Sequence, residues 1–537
     1  MIYLYDTTLR DGTQAEGISL SAPDKVRVAK RLDEFGIHYI EGGWPGSNPR
    51  DIEFFQLIRK EKMKRAKIAA FGSTRHKKYK ASEDPNLAAL LAAKCPVVTI
   101  FGKSWDLHVT KALRVSFEDN LKMIADSVRY LKSKKLEVVY DAEHFFDGYK
   151  ANPEYALKTL AAAAEGGADF LVLCDTNGGS LPWEIDEIVN TVQRNTSVSV
   201  GIHTHNDAGL AVANALSAIR AGACHAQGTI NGYGERTGNM DLCVFLANLV
   251  LKMKEKSVSE KKLRELTQLS LFVSEVVNVL PDDRQPFVGR TSFAHKGGIH
   301  VSAVQREETT YEHIRPEQVG NVRRILVSDL SGKSNIDFKS KQLDVDLERH
   351  PEAMGRILKT IKQKENQGWN YEAADASLEI LMKKELGQHR NFFDLSGFRV
   401  IVEKRETGEI LTEATVKVKV GDRSMHTAAE GDGPVNALDT ALRKALEAFY
   451  PDLSQVHLTD YKVRVLDATE GTAAQVRVLI ESRDRQREWS TIGMSENIIE
   501  ASYQALVDSI DYKLLKQANA SRKVKGKKAA KKAVRKK

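Results

Sequence analysis

The chain has 537 residues, 42% hydrophobic and 28% charged, the balance of an ordinary globular protein and more length than one hydrophobic core fills, so two or three domains are expected. Four cysteines (Cys95, Cys174, Cys224 and Cys243) form no CxxC pair, which argues against a disulfide framework and a cysteine-held zinc. The net charge is +8, but residues 522–537 hold ten Lys or Arg and no acid, leaving −2 for everything before them; charge alone therefore gives the body no nucleic-acid partner.

The opening residues show no basic region followed by an apolar core, and every apolar run is broken by charge well short of about 18 residues, so neither a secretory signal nor a membrane span is expected and the cytoplasm is the expected location. Short β-rich runs then recur at residues 2–7, 39–41, 68–71, 97–101, 136–141, 170–174, 199–203 and 227–230. Helical patterns fill most of the gaps. Ser21 can cap, Pro23 suits a first helical turn, and Val26, Ala29, Leu32 and Phe35 keep a helical period until Gly36. Residues 157–165 and 210–221 read the same way. Eight such beats in roughly 250 residues predict an α/β fold of the (β/α)8 TIM-barrel type, with a doubly wound sheet as the other arrangement sharing the alternation.

A barrel places its chemistry at the carboxyl ends of its strands. Polar residues collect there: Arg10-Asp11-Gly12, Glu41-Gly42-Gly43, Asp141-Ala142-Glu143-His144, Asp175-Thr176-Asn177, His203-Thr204-His205-Asn206-Asp207 and Asn231-Gly232-Tyr233-Gly234-Glu235-Arg236. His203 and His205, two apart on a strand end, point to one face. With Asp11 they make a two-histidine, one-carboxylate set with coordination positions left open; ordinary hydrogen-bonded histidines are the other reading. Asn239 is either a further ligand or a turn former. Arg10 suits stabilisation of an oxyanion, or a structural ion pair. Thr176 is either a substrate-carboxylate contact or a turn residue. Glu143 and His144 are an acid and a base suited to proton transfer. No Walker loop, Rossmann fingerprint or Ser-His-Asp signature is evident.

Beyond the barrel, residues 415–420 and 475–480 alternate as strands some 60 residues apart. Each leads through a glycine segment into a helix, at 437–449 and 498–510, which predicts a βββα unit present twice. The expected division is a barrel over 1–275, linker subdomains over 276–392 that contribute to the active site, a regulatory domain over 393–515 and a disordered basic tail over 516–537.

The stretch Asp6-Thr7-Thr8-Leu9-Arg10-Asp11-Gly12-Thr13-Gln14 resembles the opening motif of the 2-isopropylmalate, homocitrate and citramalate synthase family. Residues 201–207 and 231–239 complete the match, and Ala294-His295-Lys296-Gly297-Gly298-Ile299-His300 looks like the segment that carries a catalytic histidine to a partner subunit's barrel. Tyr311 follows at a spacing similar to that of the family's active-site tyrosine. The resemblance implies an acyltransferase that converts acyl to alkyl on transfer. Asp11, His203, His205 and Asn239 would hold a divalent metal (Zn, Mn or Mg), Arg10 would act as electrophile, Thr176 would bind the substrate carboxylate, and Glu143, His300 and Tyr311 would be catalytic. It also implies a homodimer with an amino-acid effector on the C-terminal domain. The stretch from Glu41 to Pro49 resembles the citramalate-forming branch, which implies acetyl-CoA and pyruvate as substrates, (R)-citramalate as product, a role in isoleucine and branched-chain amino-acid biosynthesis, and isoleucine as effector. A 2-isopropylmalate or homocitrate synthase, or a retro-aldol enzyme of the 3-hydroxy-3-methylglutaryl-CoA lyase type, is the alternative. A cut after about Phe392 is expected to spare some condensation and abolish inhibition.

Overall fold

A computed structural model describes every residue except 348, 467–473 and 535–537, and side chains only as far as 518. The chain divides into two compact units, residues 1–293 with 312–323, and residues 294–311 with 324–537.

The first unit is built on a closed barrel of eight parallel strands in sequence order: β1 (Tyr3–Asp6), β2 (Tyr39–Gly43), β3 (Lys67–Ser73), β4 (Val97–Lys103), β5 (Glu137–Glu143), β6 (Phe170–Asp175), β7 (Ser199–Thr204) and β8 (His225–Gly228). β8 closes on β1 in the register Tyr3↔His225 through Asp6↔Gly228. This register starts β8 two residues before the expected 227–230 and leaves residues 229–232 in the loop above it. β5 runs on to Glu143, beyond its expected end at 141. Buried on both faces, β6 is buried along its whole length, as a parallel sheet covered by helices requires.

The helix Ala22–Phe35 shows how sequence sets these elements. The Ser21 side chain accepts the Asp24 N–H at its start, and Gly36 at φ 113° ends it. Its inner face, including Val28, Ala29, Leu32 and Phe35, joins the main core.

The second unit contains two three-stranded antiparallel sheets. One comprises β11 (Asp394–Lys404), β12 (Ile410–Val420) and β13 (Arg423–Glu430), followed by the helix Pro434–Glu447. The other comprises β14 (His457–Val465), β15 (Val476–Arg483) and β16 (Glu488–Ser495), followed by the helix Ile498–Val534; two short strands, β9 (Ala294–His295) and β10 (Arg324–Ile325), precede both. The doubled βββα unit is therefore present, with residues 415–420 in one central strand and the expected 475–480 in the other from Val476 onward. The backbone stays helical through Val534, whereas the sequence suggests an unfolded tail from 516. Alanine, lysine and arginine, which dominate that stretch, are among the best helix formers. Among the described residues, no helix is long and apolar enough to cross a membrane.

Candidate active site

The loop after β1 is shaped by Asp6. Its carboxylate accepts from the Thr8 N–H at 2.9 Å and the Thr8 hydroxyl at 2.9 Å. The Thr8 hydroxyl in turn accepts the Ile230 N–H at 2.9 Å, tying this loop to the one above β8. Burial lifts the Asp6 carboxyl to about 7. The turn delivers Arg10 and Asp11 to the mouth of the barrel.

His203 lies on β7, and His205 is bridged to Asn239 just beyond it. Donor atoms of Asp11, His203 and His205 all lie within 4.8 Å of one another, and all three residues are buried. His203 Nε2 is 3.3 Å from His205 Nε2 and 3.4 Å from Asp11 Oδ2. Two ligands sharing a tetrahedral ion at about 2.0–2.2 Å stand roughly 3.3–3.6 Å apart, so the separations fit a shared cation. The buried Asn239 Oδ1 accepts no hydrogen bond, and its chemistry suits a further metal ligand. Burial and the neighbouring His203 depress the His205 ring to about 3. Burial opposes charge on Asp11, yet the Arg10 guanidinium beside it holds its carboxylate below the ordinary range. A carboxylate beside two neutral imidazoles is the protonation state that metal binding needs.

Arg10 is fixed on three sides. Its Nε donates to Glu41 Oε2 at 2.8 Å, its Nη1 lies 3.5 Å from Asp11 Oδ2, and its guanidinium stacks 3.8 Å over the Phe71 ring. Burial works against its charge, but Asp11 and Glu41 more than offset this and keep it protonated. Glu41 is steadied from the far side by the Tyr5 hydroxyl, 3.0 Å away. Phe71, Phe101 and Trp44 make an aromatic wall, with ring centres 5.5–5.8 Å apart. Gly43 explains part of the glycine run before Trp44. At φ 144° its missing Cβ would stand 2.2 Å from the Asp51 carboxyl carbon, and Asp51 accepts there from the Trp44 N–H at 2.8 Å and the buried Lys25 ammonium at 2.5 Å.

Glu143, at the end of β5, is ion-paired with Lys103 at the end of β4. The Thr176 hydroxyl accepts the His144 N–H at 2.9 Å, leaving its own O–H to donate elsewhere. His144 takes the left-handed backbone at φ 55° and pairs with Asp147 at 3.3 Å. A cavity of about 500 Å³ opens beside Phe101 and Lys103, with Arg75, Lys77 and Arg114 in its lining. In the second unit, the rings of His300 and Tyr311 stack at 4.3 Å, and both side chains are exposed.

Lys103, Gln227 and the aromatic wall escaped the sequence reading. Lys103 and Gln227 are isolated polar residues in apolar strands, and only the barrel register shows which ends they share. Phe71 and Phe101 were legible only as strand residues.

The HMGL-like family matches residues 1–272, the homocitrate synthase post-HMGL domain-like family residues 287–368, and the LeuA allosteric (dimerisation) domain residues 372–514. The chain is 58% identical to the (R)-citramalate synthase of Geobacter sulfurreducens, over 96% of this chain and 98% of that protein. It is 54% identical to the (R)-citramalate synthase of Aquifex aeolicus, over 96% and 98%. Identity falls to 30% with the 2-isopropylmalate synthase of Methanocaldococcus jannaschii, over 96% of this chain and 95% of the other. The family match over residues 1–272 and relatives more than half identical along nearly the whole length lead to one conclusion: the chain belongs to the HMGL-like family and, within it, to the (R)-citramalate synthases.

Proposed function

We propose that the chain condenses acetyl-CoA with pyruvate and water to give (R)-citramalate and CoA, in branched-chain amino-acid biosynthesis leading to isoleucine. The observation that carries this reading is the convergence of Asp11, His203 and His205 beside the clamped Arg10, in a chain more than half identical to (R)-citramalate synthases throughout.

A divalent ion held by Asp11, His203 and His205, with Asn239 as a further ligand, would polarise the acceptor ketone and orient its carboxylate. The remaining steps belong to the protein. Arg10 uses one donor on Glu41 and keeps others for the acceptor oxygen, which gains negative charge as the carbon–carbon bond forms. Thr176, its hydroxyl oriented by the His144 N–H, donates to the acceptor carboxylate. Glu143, its carboxylate held in place by Lys103, moves protons between the acetyl methyl and the new hydroxyl, with the partner subunit's His300 as the second acid–base group. Tyr311, stacked on His300, orients its ring. The aromatic wall beside Arg10 favours a small acceptor such as pyruvate. The cationic cavity at the ends of β3 and β4 suits the phosphates of CoA.

The match to the LeuA allosteric (dimerisation) domain over residues 372–514 supports a homodimer with an allosteric effector, and isoleucine, the end product of the proposed pathway, is the effector we propose. The test of the reaction is product analysis with methyl-¹³C acetyl-CoA and pyruvate. Labelled citramalate methylene is the expected signal, and unchanged acetyl-CoA would overturn the assignment.

A further inference from the structure

Gln227 sits in the barrel interior on β8, fully buried. Its side-chain oxygen lies 2.9 Å from His203 Nδ1, and its amide nitrogen donates to Asp141 Oδ1 at 2.9 Å. An amide carries donor and acceptor on opposite arms, so its orientation decides which His203 nitrogen bears the proton. Asp141 sets that orientation. Its Oδ1 accepts the amide N–H, and that bond turns the other arm of the amide toward His203. The carbonyl must then face His203, where the only favourable partner is an Nδ1–H. The lone pair is left on Nε2, the atom 3.4 Å from Asp11 and 3.3 Å from His205 Nε2. In the opposite orientation the amide would donate to Nδ1, the proton would move to Nε2, and His203 would be unable to ligate. His205 has no such anchor: its Nδ1 is buried without a hydrogen-bond partner.

We propose that Gln227, oriented by Asp141, is a positioning residue that fixes His203 as the Nδ1–H tautomer and thereby sets the metal affinity of the site. The inference rests on the reading of Asp11, His203 and His205 as metal ligands. Partners that orient ligating histidines typically change metal affinity by about 10–100-fold. His203 is the better oriented of the two imidazoles, so loss of its anchor is not compensated elsewhere in the set.

The experiment is titration of the metal-free full-length protein with Co²⁺, read by its visible absorption. Q227L is expected to weaken Co²⁺ binding about 10–100-fold, and D141N by less. Because both act through one path, the double variant should bind no more weakly than Q227L alone. Metal-free thermal unfolding of each variant reports folding separately. Should Q227L not fold, ¹⁵N-histidine NMR of the native metal-free protein, with H203A for assignment, reads the tautomer directly. A proton on Nδ1 of His203 is expected, and a proton on Nε2 would overturn the proposal. Co²⁺ binding by folded Q227L within twofold of the native protein, with binding abolished in H203A, would overturn the role of Gln227 and leave the metal site intact. Tight binding by H203A would overturn the metal site itself, and the proposal with it.

Discussion

Arg10 engages a carboxylate, a second carboxylate and an aromatic face at once. Lysine can supply the charge but neither the planar stack on Phe71 nor the forked donors. R10K is therefore expected to lower kcat by about 10²–10³-fold, the usual loss when one oxyanion donor is removed. The KM for pyruvate should move much less, because the contact strengthens as charge develops. Steady-state thiol release measures both, and a change confined to KM would contradict the role. His225 tests the barrel interior. It is buried among Tyr5, Tyr39 and Phe170, neither ring nitrogen has a partner, and burial, aided by His38, depresses it to about 3. The folded state keeps it neutral while the unfolded chain protonates it near pH 6.5, so the unfolded state binds the extra proton between these values and stability falls as pH falls. H225F should remove that dependence, flattening the acid side by at most about 1.4 kcal/mol per pH unit. Urea unfolding at pH 7, 6 and 5 decides it, and parallel curves for the two proteins would contradict it.

The loop after β8 is held by a glycine. Gly238 lies at φ 95°, and a Cβ there would stand 2.0 Å from the Gly232 carbonyl oxygen. G238A must shift Asn239 and break the Asn206 N–H bond to the Gly238 carbonyl, now 2.9 Å. Metal affinity and activity should fall together, with little change in overall stability, because the strain is local. Unaltered metal binding would remove Asn239 from the ligand set. This loop also shows what the sequence could and could not disclose. The strands were legible because β-rich runs of three to six residues repeat with polar residues at one end. The start of β8 was not, since His225 looks like a loop residue until the Tyr3↔His225 register buries it. The grouping of Asp11, His203 and His205 was legible because two histidines two apart share one face of a strand end, and Asp11 ends another strand at the same mouth of the barrel. Lys103 and Gln227 were not, because each acts through a neighbour far away in sequence: Glu143 for the first, His203 and Asp141 for the second.

Across the whole chain, the expected boundary near residue 392 falls inside the second compact unit. Ile492 of β16 is buried in one core with Ile336, Leu378 and Met382, and its N–H donates to the Ser377 hydroxyl at 3.1 Å. Glu379, fully buried, pairs with Lys383 at 2.5 Å and with Lys516 at 2.6 Å. A chain cut after Phe392 loses Ile492 and Lys516 from these clusters, so the packing predicts loss of cooperative folding in that unit rather than simple release from inhibition. I492A in the full chain should cost about 2–5 kcal/mol, as deletions in a close-packed core do. A cost near zero in urea unfolding would show that the shared core is not formed. The sequence displayed the βββα repeat but not this shared core, because Ile492 lies more than 100 positions from Leu378 and Met382, the helical residues it packs with.

The central claim is tested most directly by acetyl-CoA-dependent thiol release with pyruvate, 2-oxoisovalerate and 2-oxoglutarate in turn, before and after EDTA. The site and the relatives predict fast turnover with pyruvate, little with the larger acids, and loss of activity on metal removal with recovery on adding divalent ion back. Turnover that prefers 2-oxoisovalerate, or that survives complete metal removal, would contradict the account.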